Sequence, residues 1–222
     1  MSTVDYSEFL VDVNLSTTGC PEFERLNRLR DAAQDFCRRS FMWRSRELDL
    51  LTTISAQEVY DVSGLVPDGA ILLAIHSAWE GRREIAIEEP GQGDDFYPGE
   101  TSCRWVVGID GPGALHVLPA PNAGGLALRG TLSFAPSEDS TGVPDFIFNR
   151  WKSDIASGAI AVLCAQEQKA WTNAGLAAFH KSKFDAAVAL AASRAGPVRR
   201  KGLRVQVQDA PRGWYHQRSH WE

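Results

Sequence analysis

Long hydrophobic runs are missing from this sequence of 222 residues. No stretch approaches the roughly 20 apolar residues that a membrane-spanning helix needs. The first residues carry Asp5, Glu8 and Asp12 where a secretory signal would have a basic start and an apolar centre. Because 44% of the residues are hydrophobic and 23% are charged, the composition is typical of a globular chain. We therefore expect a globular protein that is made in the cytoplasm and has no membrane partner.

Paired cysteines are also missing. The four cysteines, Cys20, Cys37, Cys103 and Cys164, are scattered, and no two of them form a Cys-x-x-Cys pair. Scattered cysteines of this kind favour reduced, mostly buried thiols. We therefore infer no disulfide and no metal site from them.

Recognisable catalytic motifs are scarce. There is no Gly-x-x-x-x-Gly-Lys phosphate loop, and Gly91–Phe96 lacks the second, helix-opening glycine of a dinucleotide-binding fingerprint. His216 and His220 lie four residues apart without the intervening glutamate of a metalloprotease helix. His76 and His116 fall in predicted strands among apolar neighbours, where hydrogen-bonded structural histidines are commoner than catalytic ones. The sequence thus predicts no cofactor and no enzyme; His116 or the His216/His220 pair would be the candidates if it were one.

The charge is divided unevenly along the chain. The formal net charge is −5, yet from Arg194 onward seven basic residues stand against Asp209 and Glu222, a local excess of +5. The chain before Arg194 therefore carries −10. An acidic body is poorly suited to hold nucleic acid, and a basic segment favours an acidic or aromatic-lined partner.

Two stretches in the first 43 residues have apolar side chains at helical spacing. Thr3–Val13 is expected to form a short helix. A longer helix is expected to begin at Pro21 and end near Arg39, with acids in its first turn and arginines in its last, as the helix dipole favours. Its expected buried stripe consists of Phe23, Leu26, Leu29, Ala33, Phe36 and Cys37.

Two further helices are predicted between Val143 and Arg194. The first begins at Pro144–Asp145, and Gly158 interrupts its apolar pattern. The second is capped by Asn173 and stopped by Gly196–Pro197. The expected buried stripe of the second consists of Leu176, Phe179, Phe184, Ala187 and Leu190. These two helices and the one that begins at Pro21 would cover one another in a small bundle.

From Trp43 onward the spacing of apolar residues becomes twofold, which predicts strands. The predicted strands are 43–51, Val59–Val62, Ala70–Ala78, Arg83–Ile87, Arg104–Ile109, Ala114–Leu118 and Leu126–Ala135. The third and fourth are expected to pair as a hairpin around Trp79–Arg82, and the fifth and sixth around Asp110–Gly113.

The predicted fold is therefore α+β. Residues 1–43 and 143–195 form a helical bundle, residues 44–142 form an inserted small antiparallel β sandwich or barrel, and residues 196–222 form an extended C-terminal arm. The arm lacks a core-forming pattern, and it is rich in Trp, Tyr and Arg, the residues that make the strongest contacts in protein interfaces. We expect it to bind a partner through Arg199, Arg200, Lys201, Arg204, Arg212, Trp214, Tyr215, Arg218 and Trp221.

Several short motifs resemble one known family in their order along the chain. They are Ser7–Leu10, Gly19–Pro21, Leu29–Ser40 followed by Trp43, Tyr60–Val62, Leu118–Pro121, Val143–Phe146 with Trp151 and Ile155, and Lys169–Asn173. The sequence resembles the adaptor proteins of tailed bacteriophages, the head-to-tail connectors of short-tailed phages of the tail tubular protein A type. The resemblance covers roughly residues 7 to 195 and does not extend to the arm.

The resemblance implies a structural virion protein of the phage tail or neck. It implies a twelve-membered ring below the portal protein that lengthens the channel for DNA ejection, with genomic DNA passing through the lumen without specific binding. It also implies that a C-terminal extension docks on the portal and that the far face meets the tail nozzle protein and often the tail fibres. The alternative is a nucleic-acid-associated assembly factor that uses Arg199, Arg200, Lys201 and Arg204.

Overall fold

The structure, a computed structural model, describes residues 2–87, 106–109, 113–118, 120–122 and 124–196. Helices and antiparallel strands are both present, which confirms the predicted α+β class. The helices are α1 (Leu10–Asn14), α2 (Glu22–Ser40), α3 (Asp145–Cys164) and α4 (Ala174–Ala195), with 3-10 turns at Tyr6–Phe9 and Ser63–Leu65. The strands are β1 (Thr3–Asp5), β2 (Arg44–Thr52), β3 (Val59–Asp61), β4 (Ala70–Glu80), β5 (Arg83–Ile87), β6 (Val106–Ile109), β7 (Ala114–Leu118), β8 (Ala127–Pro136) and β9 (Gly142–Pro144).

The ends of the long helices confirm the signals in their sequences. α2 has two acids in its first turn and two arginines in its last, and α3 begins with Asp145, so these charges complement the helix dipoles. α4 is capped by Asn173, whose side-chain oxygen accepts a hydrogen bond from the backbone N–H of Leu176 at 3.0 Å. It ends at Gly196, as expected.

The turn between α3 and α4 is held by its own side chains. The indole N–H of Trp171 donates a hydrogen bond to the side-chain oxygen of Gln166 at 3.0 Å. The amide nitrogen of Gln166 donates in turn to the carboxylate of Glu24 in α2 at 2.6 Å. The Lys169–Asn173 motif therefore fastens this turn to α2.

α3 continues through Gly158, the residue that interrupts the apolar pattern of its sequence. Glycine is favoured there by packing, because a Cβ atom at this position would lie 2.8 Å from the ring of Phe184 in α4 and 3.1 Å from the Cβ of Ala32 in α2. The absence of a side chain at Gly158 lets both neighbouring helices approach α3 closely.

Two predicted buried stripes include residues that the structure exposes. Phe23 of α2 is 67% exposed, and Phe179 and Leu190 of α4 are 64% and 46% exposed. The prediction that these three side chains are buried is wrong, because spacing locates a face of a helix but not the extent of its neighbours. The buried residues of α4 are Ala177, Phe184, Ala187, Val188 and Ala191.

The predicted helix over Thr3–Val13 starts later than expected. The first three of these residues form β1, which pairs antiparallel with β9 just before α3. The Asp5 side chain then accepts a hydrogen bond from the backbone N–H of Ser7 at 2.7 Å and begins the 3-10 turn. Helical structure is thus confined to Tyr6–Phe9 and Leu10–Asn14.

Within the described residues, seven strands form one sheet in the order β2-β8-β4-β5-β6-β7-β3. Both predicted hairpins are confirmed, since β4 pairs with β5 and β6 with β7, each antiparallel. The pair β5–β6 is parallel, which departs from the predicted antiparallel set. Residues 104–105 and 110–112 of the second hairpin lie outside the described residues. In the described residues these strands thus form one continuous hydrogen-bonded sheet, where the sequence predicts a small antiparallel sandwich or barrel.

The hydrophobic core is continuous from the helices to the sheet. α3 packs against α1, α2 and α4, and α2 also packs against β8. The ring of Phe36 lies 5.3 Å from that of Trp151 and 6.4 Å from that of Phe184, measured between centroids, so it joins α2, α3 and α4. The division into a bundle of residues 1–43 and 143–195 and a β domain of residues 44–142 stays a prediction.

Candidate partner-binding surfaces

The nine residues predicted to bind a partner lie outside the described residues. They are Arg199, Arg200, Lys201, Arg204, Arg212, Trp214, Tyr215, Arg218 and Trp221. The pair His216 and His220 lies outside them as well. The structure does describe the end of α4, from which this segment continues, and the surfaces of the helices around it.

The end of α4 is fixed by Arg44, the first residue of β2. The guanidinium group of Arg44 donates hydrogen bonds to the carbonyl oxygens of Ala195, at 2.6 Å, and of Gly196, at 3.2 Å. Its Nε atom donates to the carbonyl oxygen of Phe41, at the end of α2, at 2.8 Å. Arg44 thus joins the carboxyl ends of two helices to the first residue of the sheet.

A positive charge is well placed at this junction. The last carbonyl groups of a helix have no partner within it and form the negative end of its dipole. The residues that follow α2 and α4, Phe41 and Gly196, have φ angles of 50° and 79°. That conformation is easy for glycine and costly for phenylalanine. One guanidinium group therefore bonds carbonyl oxygens at both helix ends and fixes the position of Gly196.

His76 lies beside this junction and is only 4% exposed. Its ring packs edge-on against that of Phe41, with 5.3 Å between centroids. Neither ring nitrogen has a hydrogen-bond partner among the described residues, so the hydrogen bond expected of a structural histidine is not found there. Burial, with a smaller contribution from the positive charge of Arg44, lowers the pKa of His76 to about 4. His76 is therefore a neutral core residue at neutral pH.

Replacing His76 by leucine is expected to flatten the acid dependence of stability. Between pH 6.5 and about 4, unfolded His76 takes up a proton and folded His76 does not, so the wild-type protein loses stability as the pH falls. The loss attributable to this group approaches about 3 kcal/mol at the acid end. Urea unfolding of both proteins from pH 7 to pH 4 measures it. Parallel stability curves for the two proteins would contradict the assignment.

The thiols that the structure describes are Cys20, Cys37 and Cys164, which are free and buried, as the sequence predicts. Cys103 lies outside the described residues. Burial raises the pKa of Cys37 to about 12 and also raises the pKa of Cys20 and Cys164. These thiols stay protonated at neutral pH and are poor nucleophiles.

The outward side of α4 forms an uncharged surface, which we call the α4 face. Its eight residues are spaced by one, three or four positions, so they lie on one side of the helix. They are Gly175, Ala178, Phe179, Ser182, Ala186, Ala189, Leu190 and Ser193, and all of them are exposed. Phe179 and Leu190, which the sequence places in the core, are the large side chains of this face.

A second exposed apolar surface lies on the first helical segment, and we call it the α1 face. It consists of Glu8, Val11, Asp12 and Leu15, spaced by three, one and three residues. Val11 is 69% exposed and Leu15 is 87% exposed. Opposite this face, Phe9 and Val13 are fully buried. The α1 face is therefore both apolar and acidic.

An open groove of about 580 Å³ runs along α2. Its lining is mostly charged or polar: Phe23, Glu24, Asn27, Arg28, Arg30, Asp31, Gln34 and Glu138. Two of its arginines are engaged within the chain, since Arg28 pairs with Asp31 at 3.0 Å and Arg30 donates to the carbonyl oxygen of Glu138. This arrangement indicates a solvated surface.

The described part of the chain shows neither a membrane-spanning helix nor a metal-binding cluster. None of its helices is long and apolar enough to cross a membrane. In the same residues, no three His, Cys, Asp or Glu side chains come together as metal ligands would.

A body with exposed apolar helix faces and a basic, aromatic segment at a fixed exit point has the features of an assembly protein, which joins other proteins. Comparison with protein families gives the particular class. The family model named SU10 adaptor protein matches residues 5–201, and the chain belongs to that family. No protein with a curated description matches the chain.

Membership of this family makes the protein a structural adaptor of a bacteriophage. The family is not a class of enzymes, and an adaptor of this kind is incorporated into the virion in association with other phage head and tail proteins. The resemblance to phage adaptor proteins is confirmed at this level. The narrower resemblance to the head-to-tail connectors of short-tailed phages stays a prediction.

Proposed function

We propose that this protein is a head-to-tail adaptor that forms a ring under the portal, and that the segment after Gly196 anchors it to the portal protein. The ring, of twelve copies, extends the DNA channel at the neck of the virion. Its far side meets the tail nozzle protein, with tail fibres as further neighbours.

The fixed exit point of the segment is the observation that carries the anchoring role. Arg44 donates hydrogen bonds to the carbonyl oxygens of Ala195 and Gly196, so the segment that continues from Gly196 begins at a fixed position. Fully extended, about 25 residues span about 80 Å. That reach is sufficient for a segment rooted in one ring to contact another.

The distribution of charge supports the same role. The chain before Arg194 carries −10, so the body repels DNA that passes through the ring. The +5 excess after Arg194 suits an acidic surface on a protein partner. Trp214, Tyr215 and Trp221 add the aromatic side chains that such contacts favour.

A variant that ends at Gly196 is expected to fold normally and to lose stable binding to portal rings. This variant keeps the Ala195 carbonyl group, and its new C-terminal carboxylate at Gly196 offers Arg44 an oxygen acceptor at the same residue, so we expect the body to be unchanged. The measurement is electron microscopy and co-sedimentation of portal rings mixed with either protein. Full-length protein with Trp214→Ala and Trp221→Ala is expected to bind at least about tenfold more weakly. Undiminished binding of the shortened variant would refute the anchoring role.

The basic excess after Arg194 also supports a second candidate, a nucleic-acid-associated assembly factor. Full-length protein would then bind duplex DNA with an affinity that falls steeply as salt rises. Alanine at Arg199, Arg200, Lys201 and Arg204 would abolish that binding. Portal binding that persists without these four side chains, together with no measurable DNA affinity in the wild type, would exclude this alternative.

A further inference from the structure

The α4 face is uncharged along the whole helix and yet exposed. A helix of 22 residues is about 33 Å long, and no charged residue lies on this face over that length. The opposite side of α4 is buried against α2 and α3. A helix that is apolar on both sides is normally buried on both sides. The α4 face therefore has the character of a surface that another element covers.

The margins of the α4 face have an excess of positive charge. Lys181 and Asp185 lie on one margin, and Lys183 and Arg194 lie on the other. The Asp185 carboxylate is already paired with Arg39 of α2 at 2.8 Å and with Lys181 at 2.9 Å. Charge complementarity therefore favours an apolar partner surface with acidic side chains.

The α1 face has that composition. Val11 and Leu15 supply the exposed apolar side chains, and Glu8 and Asp12 supply the acidic ones. The Asp12 carboxylate lies 3.8 Å from the ammonium group of Lys152, and Glu8 is exposed. Both faces belong to helices that pack on α3, so each is held on the helical part of the body.

We propose that the α4 face of one copy docks on the α1 face of the next copy in the ring. This inference rests on the proposed ring and names the surfaces that form it. The two faces are different surfaces of the same chain, so their pairing is heterologous, and heterologous pairing gives a ring when the rotation between neighbouring copies closes. Pairing of α4 with α4 would give a dimer and no ring.

The size of the contact indicates when it forms. The α1 face spans eight residues, about 12 Å of helix, so with a width of about 10 Å it covers about 120 Å² of the α4 face, far below the roughly 800 Å² per partner of a stable interface. One such contact is too weak to hold two free copies together. Copies held side by side on the portal are at high effective concentration, so the contact forms there.

The first test places charge on the α4 face. The double variant Phe179→Asp and Leu190→Asp is expected to fold as the wild type does, because both side chains are exposed. On portal rings it should bind as single copies while the yield of closed adaptor rings falls at least about tenfold, since burying unpaired carboxylates is strongly unfavourable. Phe23→Asp, at an equally exposed phenylalanine on α2, is the matched control and should form rings normally.

The second test identifies the opposing surface by cross-linking. Cysteine at Leu190 in one copy and at Leu15 in another, joined by a short bis-maleimide on portal rings, should give a product when the two single variants are mixed. Each single variant alone should give none. A product from Leu190→Cys alone would show α4 against α4 and overturn the proposal.

The outcomes separate this inference from the proposed function. Normal rings from the Phe179→Asp and Leu190→Asp variant would overturn the docking surfaces and leave the adaptor role intact. Loss of portal binding by single copies of that variant would show that the portal covers the α4 face, which also overturns the proposal. Wild-type protein that neither binds portal rings nor forms a ring on them would overturn both.

Discussion

Replacing Phe36 by alanine is expected to lower the free energy of unfolding by about 3–5 kcal/mol. The Phe36 side chain is fully buried, and its ring lies 5.3 Å from that of Trp151 in α3 and 6.4 Å from that of Phe184 in α4. Its removal leaves a cavity where three helices meet, and the surrounding side chains fill such a cavity only in part. Urea unfolding followed by far-ultraviolet circular dichroism measures the change.

Phe23→Ala on the same helix is the matched control. Phe23 is 67% exposed, so its loss should change the free energy of unfolding by no more than about 0.5 kcal/mol. Both variants exchange phenylalanine for alanine within α2, so the difference between them isolates the contribution of burial. Equal unfolding midpoints for the two variants would contradict the position of Phe36 in the core.

These two phenylalanines show what helical spacing can and cannot predict. Phe23 and Phe36 fall on the same predicted stripe of α2, and only Phe36 meets α3 and α4. Spacing identifies the apolar side of a helix, but the length covered by neighbours depends on residues far along the chain. α4 is harder still, because it is apolar on two sides. Phe179 and Leu190 therefore could not be distinguished by spacing from the residues that are buried.

For the strands too, the sequence predicts only part of the structure, because it indicates which neighbouring strands pair but not which distant ones do. The hairpins β4–β5 and β6–β7 join neighbours in sequence, and turn-forming residues between them make the pairing predictable. The pairing of β8 with both β2 and β4, and the parallel pair β5–β6, join strands that are not hairpin neighbours. Such pairings depend on contacts between strands and helices that are far apart in the sequence, such as the packing of β8 against α2, which no local pattern records.

Part of the candidate site can be predicted from the sequence, and part cannot. The basic, aromatic segment after Gly196 is evident from composition, and its role stays a prediction. Arg44, which fixes the start of that segment, gives no signal in the sequence, because its partners Ala195 and Gly196 lie 151 and 152 residues away. The α4 face was also missed, since its exposure depends on where α2 and α3 leave α4 uncovered.

Replacing Gly158 by leucine is expected to lower the free energy of unfolding by about 3 kcal/mol or more. A Cβ atom at this position would lie 2.8 Å from two ring carbons of Phe184 and 3.1 Å from the Cβ of Ala32. Both neighbours are buried, so neither can move aside without displacing its helix. Leucine is otherwise a better helix former than glycine by nearly 1 kcal/mol, so a net loss isolates the overpacking. Thermal and urea unfolding measure it.

The coupling between Gly158 and Phe184 tests whether overpacking is the cause. Phe184→Ala alone should cost about 3–5 kcal/mol through the cavity that it leaves. In the double variant the leucine enters the space of the missing ring, so the combined loss should be smaller than the sum of the two single losses by at least about 1 kcal/mol.

Gly175→Ala, in the first turn of α4, is the control. Its Cβ would meet only the Asn173 side-chain oxygen at 3.6 Å, so stability should hold or rise. If the losses of unfolding free energy at Gly158 and Phe184 were additive, α3 and α4 would not be in contact there. That result would contradict the core that joins α2, α3 and α4.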